Sequence, residues 1–63
     1  LWQAHQNLAA IYYRQGSYNL SIEEIKKAME ISPGNKFLEK NLSLVENAFR
    51  SIQPPAESLP TRN

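Results

Sequence analysis

Residues Tyr12–Asn35 read YYRQGSYNLSIEEIKKAMEISPGN, with one glycine between two tyrosine-bearing runs and a Ser-Pro-Gly-Asn end. Glycine takes positive φ at little cost, so Gly16 followed by Ser17 signals a helix that ends in a left-handed residue. The spacing therefore predicts two helices separated at Gly16. A connection this short makes them antiparallel neighbours, an αα-hairpin.

On the N-terminal side, Leu1, His5, Leu8, Ala9 and Tyr12 recur at three- and four-residue steps beside Trp2. This predicts one apolar stripe on a helix from Trp2 to Gln15. The opposite side carries Gln3, Gln6, Asn7, Ala10, Tyr13 and Arg14. A second helix is expected over Tyr18 to Ile31, with Ser17 or Asn19 as N-cap, Glu23 and Glu24 near the positive end of its dipole, and Pro33 and Gly34 marking its end. Two adjacent apolar lines, Ser21/Ile25/Ala28 and Ile22/Met29, equip it to pack on both sides as a middle helix.

A third helix is expected over Lys36 to Ser51 after an Asn35 cap. Leu38, Leu42, Val45 and Phe49 form its first stripe, which should cover the middle helix. A second line, Phe37/Leu44/Ala48, lies about 100° round the same helix and cannot face the same neighbour. It must meet something else or stand exposed. The remaining text, QPPAESLPTRN, holds Pro54, Pro55 and Pro60 and few apolar residues. Prolines forbid regular structure, and so little burial cannot offset the entropy of ordering. The expected organisation is a folded unit over residues 2–51 and a disordered, proline-containing tail over 52–63. The start at Leu1, already inside a helical pattern, reads as a piece of a longer chain.

At 63 residues the chain has room for one small domain, and a domain of this size buries only about 60 % of the surface its unfolded chain exposes. There is no cysteine to add a disulfide or a thiolate metal site, which suits a reducing, cytoplasmic compartment. The net charge is +1 with both signs interspersed. That pattern lacks the basic footprint of a nucleic-acid or anionic-membrane binder. No apolar run approaches the roughly 20 residues of a membrane span, and no signal-peptide pattern is present.

By spacing, the first two helices read Leu8-Ala9-x-x-Tyr12, Gly16, Tyr18, Ser21-x-x-x-Ile25, Ala28 and Pro33. This resembles the tetratricopeptide repeat, a helix–turn–helix unit of about 34 residues. Small residues at Ala9, Ser21 and Ala28 suit close helix approach, with Leu8, Tyr12 and Ile25 expected to fill the space between. The departures are His5 where the family often has tryptophan, Ala9 for its glycine and Ser21 for its alanine. The resemblance covers residues 2–35 as one full repeat. Lys36 to Ser51, with no second Gly-Tyr turn after it, then looks like the capping helix of such an array. The fold it implies is all-α, a helical hairpin plus a third helix, a fragment of an α-solenoid.

What the resemblance implies for function is a protein-interaction module rather than an enzyme, with a protein or peptide held in a concave groove. Carried over by position, the groove residues are Gln3, Gln6, Asn7, Ala10, Tyr13 and Arg14 on the first helix, and Phe37, Lys40, Asn41, Leu44, Asn47 and Ala48 on the third. Some members clamp acidic chaperone tails. Asn7 and Asn41 stand at an asparagine position of that clamp, but its cationic positions hold Gln6, Phe37 and Asn41, so the clamp is not carried over. A homo-oligomer formed through Phe37/Leu44/Ala48 is the alternative.

No residue pattern points to catalysis, a cofactor or a metal. His5 has no second His and no Cys to share a metal with, and Glu23, Glu24 and Glu30 lie on another helix, so core packing is its expected role. No serine sits in a nucleophile elbow. Asn19-Leu20-Ser21 and Asn41-Leu42-Ser43 match the glycosylation pattern but fall on helices expected to pack. The tail lacks PxxP spacing and reads as a spacer.

Overall fold

The computed structural model describes residues 1–52, which form three helices: α1 Trp2–Arg14, α2 Tyr18–Ile31 and α3 Lys36–Ile52. The fold is all-α, a helical hairpin followed by a third helix. The middle helix keeps its expected bounds, α1 stops one residue sooner, and α3 runs on through Ile52, which belongs to the helix rather than to a tail. The expected disordered segment from residue 53 onward lies outside the described residues.

Gly16 has φ +81°, and the hydrogen bonds around it explain why. The Ser17 N–H donates to the Tyr12 carbonyl at 2.9 Å and the Gly16 N–H to the Tyr13 carbonyl at 3.0 Å. This pair of bonds satisfies the last carbonyls of α1 and requires a left-handed residue at Gly16. Ser17 then opens α2 from the N-cap position without a side-chain cap bond. Glu23 and Glu24 lie beyond the first turn, which holds no acid, so they contribute little to the helix dipole. At the second turn Gly34 has φ +76°. Asn35 caps α3, its Oδ1 accepting the Leu38 N–H at 3.3 Å while its Nδ2 donates to Ser32 Oγ at 3.2 Å.

Small residues set the spacing of α1 and α2. Ala9, Ser21 and Ala28 are buried, and Ser21 Oγ donates to the Ala9 carbonyl at 2.8 Å across the contact. Ile25 lies at the centre, joined by Val45 from α3, with Tyr13, Tyr18, Ile22, Met29 and Leu42 packed around it. The Tyr13 and Tyr18 rings meet at 5.3 Å across the first turn, tilted by 43°. Leu38 and Val45 of α3 are buried and Leu42 and Phe49 half-buried, so the expected stripe does cover α2. Each outer helix packs on α2, and α1 and α3 touch only weakly.

Two expectations for α1 need correction. Leu8 does not fill the space between the helices: it is 42 % exposed and lies with Leu1 and Ile11 on an outward stripe of α1. The contact at that level is made by Ala9 and Ser21, and their short side chains leave no gap for a leucine between the backbones. His5 is not a core residue either. Its ring is half-buried and its Nδ1 lies 2.8 Å from Glu24 Oε1, an acid brought from α2 by the antiparallel hairpin.

Candidate functional site

Because α1 and α3 pack on the same neighbour but scarcely on each other, a groove of about 250 Å³ is left between them. Its α1 wall is Gln6, Ala10, Tyr13 and Arg14; its α3 wall is Asn41, Leu44 and Val45; its floor is Ala9, Ser21 and Ile25. The two walls run in the same direction. Trp2 and Phe37, each at the start of its helix, close one end with ring centres 6.0 Å apart and planes tilted by 57°. Paired rings at this distance and tilt attract one another, so the contact ties the walls together where the backbones do not.

Six of the twelve residues expected in a groove line this one: Gln6, Ala10, Tyr13, Arg14, Asn41 and Leu44. Phe37 stands at its end against Trp2. Ala48 is half-buried further along α3, outside the lining. Gln3, Asn7, Lys40 and Asn47 are exposed and do not line it. Asn47 Oδ1 is taken up by its own helix, accepting from Arg50 Nη2 at 2.7 Å. The floor was missed by sequence reasoning because Ala9, Ser21 and Ile25 are core residues by pattern, as is Val45 in the α3 wall.

The lining is mainly apolar, with a few polar groups whose states differ. The Ser21 hydroxyl is committed to the Ala9 carbonyl. Gln6 Oε1 is out of contact with solvent and has no hydrogen-bond partner among the described residues. Such an acceptor costs a protein about 1–3 kcal/mol, and few survive in native structures without a reason. Arg14 is the one charged residue in the lining and forms no ion pair among the described residues.

On the far side of α1, outside the groove, Glu24 joins His5 and also Lys27, whose Nζ lies 3.3 Å from Glu24 Oε2. The hydrogen bond from His5, with help from Lys27 and against a smaller effect of burial, holds the Glu24 carboxyl below its ordinary value. This cluster fastens α1 to α2. Among the described residues, no three His, Cys, Asp or Glu side chains group to hold a metal, and no helix is long and apolar enough to cross a membrane.

The sequon at Asn19 has its Ser21 buried in the hairpin contact. No protein-family model, no curated protein and no solved structure matches the chain.

Proposed function

We propose that the chain is a non-catalytic, tetratricopeptide-type interaction module that holds a peptide or a segment of a partner protein in the groove between α1 and α3. The observation that carries this reading is the groove itself: two helix walls on a shared floor, mostly apolar, with a small number of polar groups. That is the make-up of a recognition site. A catalytic use has little to draw on there, since the one floor hydroxyl is already bonded and no acid or histidine lines the groove. The lack of cysteine suits a cytoplasmic setting.

The test is a titration of the isotopically labelled chain with a pooled library of short peptides, followed by amide NMR. Shifts clustered at Gln6, Ala10, Asn41 and Leu44 support the reading. Shifts confined to the outward stripe at Leu8 and Ile11 would sink it.

A second reading, self-assembly through Phe37/Leu44/Ala48, is favoured by one observation: Phe37 and Leu44 remain 54 % and 50 % exposed. Burial of that line between copies would raise the melting temperature with concentration. Sedimentation across a roughly hundredfold dilution range decides, since a monomer throughout removes self-assembly.

A further inference from the structure

We propose that the exposed apolar line of α3 is covered by a second copy of this chain, bound head to tail: the cationic α1/α3 side of one copy seats on the glutamate-bearing outer face of α2 of the next. This rests on the self-assembly reading above and names the surface that meets Phe37 and Leu44.

The charges of the three helices are sorted by face. Helix α1 contains no Asp or Glu, and the groove lining holds Arg14 and no acid. On α3, Lys40 lies about 40–60° round the helix from Phe37 and Leu44, whereas Glu39 and Glu46 lie about 140–180° away from both. The α1/α3 side is thus cationic around an apolar line whose Phe37 and Leu44 are more than half and half exposed.

The outer face of α2 has the opposite character. Leu20 and Ile31 are exposed there, with Glu23 and Glu30 beside them. Lys27, on the same face, is already joined to Glu24. Lys26 lies about 120–140° round the helix from Leu20 and Ile31, on the flank. Glu23, Glu30, Arg14 and Lys40 are exposed and form no ion pair among the described residues. Two copies meeting through the same α1/α3 side would set these cations against their own counterparts, whereas the two unlike faces attract.

The faces match in spacing as well as in sign. Phe37 and Ala48 on α3, like Leu20 and Ile31 on α2, stand eleven residues apart, a rise of about 16 Å. Laid parallel in that register, Phe37 meets Leu20, Lys40 meets Glu23, Ala48 meets Ile31, and Leu44 lies along the alkyl stem of Lys27. Trp2 and Phe37 mark one end of the groove, so Arg14, twelve residues beyond Trp2, is level with the Ala48 end and meets Glu30. Reversing α2 keeps the apolar matches but brings Lys40 within a residue of Lys27. Because the two surfaces differ, each bound pair keeps one free surface of each kind, and association continues past the dimer into a row or a closed ring.

The test is sedimentation velocity of the full chain and two charge-reversed variants, Arg14→Glu/Lys40→Glu and Glu23→Lys/Glu30→Lys, across a roughly hundredfold concentration range. The unaltered chain should associate, and raising salt from about 0.01 M to 1 M, which shortens the screening length from about 30 Å to about 3 Å, should weaken it. Each variant alone has two faces of like sign and should associate at least about tenfold more weakly. An equal mixture of the two variants should recover the association of the unaltered chain, since the reversed face of each fits the unreversed face of the other. If Glu23→Lys/Glu30→Lys associates as the unaltered chain does, the inference is overturned and self-assembly through Phe37 and Leu44 stands without it. A mixture that stays monomeric also overturns it. If the unaltered chain is a monomer throughout, the inference and the self-assembly reading both fail.

Discussion

Replacing Gly16 separates backbone conformation from packing, because a Cβ built there meets nothing within 4 Å while φ is +81°. Any loss of stability then comes from the dihedral alone. Holding an L-residue in the left-handed region costs about 1–2 kcal/mol. Against this, Gly→Ala restricts the unfolded chain and returns about 0.4–1 kcal/mol. Gly16→Ala should thus destabilise by about 1 kcal/mol, and Gly16→Val by more, since a β-branched residue tolerates positive φ least. D-alanine at the same position has the mirror preference and keeps only the unfolded-state gain, so it should stabilise by about 0.4–1 kcal/mol. In a domain this small, each kcal/mol moves the melting temperature by roughly 4–8 °C. Chemical synthesis of the L-Ala, L-Val and D-Ala chains, followed by thermal melts in far-UV circular dichroism, reads all three. If D-Ala and L-Ala melt together, Gly16 is not held left-handed in solution and the turn is misassigned. Gly34, with φ +76° and equally open space, should repeat the pattern.

Ile25→Ala should cost about 2–5 kcal/mol and unfold much of the population at room temperature, because Ile25 is the buried residue that joins α1 and α3 through α2; a cooperative urea transition like the parent's would contradict that. Ser21→Ala should cost about 0.5–1.5 kcal/mol, since it removes one hydrogen bond. Ser21→Val adds overpacking of about 1–3 kcal/mol, so equal midpoints in denaturant for the two would mean α1 and α2 are less closely packed than their contact at Ala9 implies. Glu24 is held below its ordinary pKa, so the stability it contributes is fully present above the usual value of 4.5 and is lost as pH falls through the lowered folded-state value. Glu24→Gln should therefore flatten the acid limb of the stability curve below about pH 4.5, and acid titrations of the two chains that superimpose would rule the contact out.

The helices and turns were legible because each carried its own punctuation. Gly16 takes the positive φ its spacing asks for, Pro33 and Gly34 mark the second turn, Asn35 caps α3, and the Leu38/Leu42/Val45/Phe49 stripe packs on α2 as its period implies. α1 was harder to read. Its apolar residues wrap more of the helix, with Leu1, Leu8 and Ile11 pointing outward while Ala9 and Tyr13 face the core. Periodicity alone does not rank two such stripes: Ala9 lies at the close approach as its small size suggests, while its neighbour Leu8 turns outward. Tyr13 illustrates the same limit from the other side: expected on a groove wall, it lines the groove and also packs on the core beside Tyr18. The His5–Glu24 contact joins residues 19 positions apart and depends on the register of the hairpin. No local pattern carries that information.

The serial packing of the helices has a further effect on how the molecule comes apart. With α1 and α3 each resting on α2 and hardly on one another, contacts follow chain order, and nothing obliges all three helices to melt together. The Trp2–Phe37 ring contact is a direct side-chain link between the two ends of the series. Peeling α3 away exposes Ile25 and erases one groove wall at a stroke, yet leaves the α1/α2 hairpin with its Ser21 and His5 contacts intact. Amides of α3 should then exchange with solvent through a smaller opening than those of α1 and α2. A ligand spanning both walls, as proposed above, would close that opening, its apparent affinity would contain the work of holding α3 in place, and weakening the α2/α3 seam far from the groove would loosen its binding without touching a single contact residue.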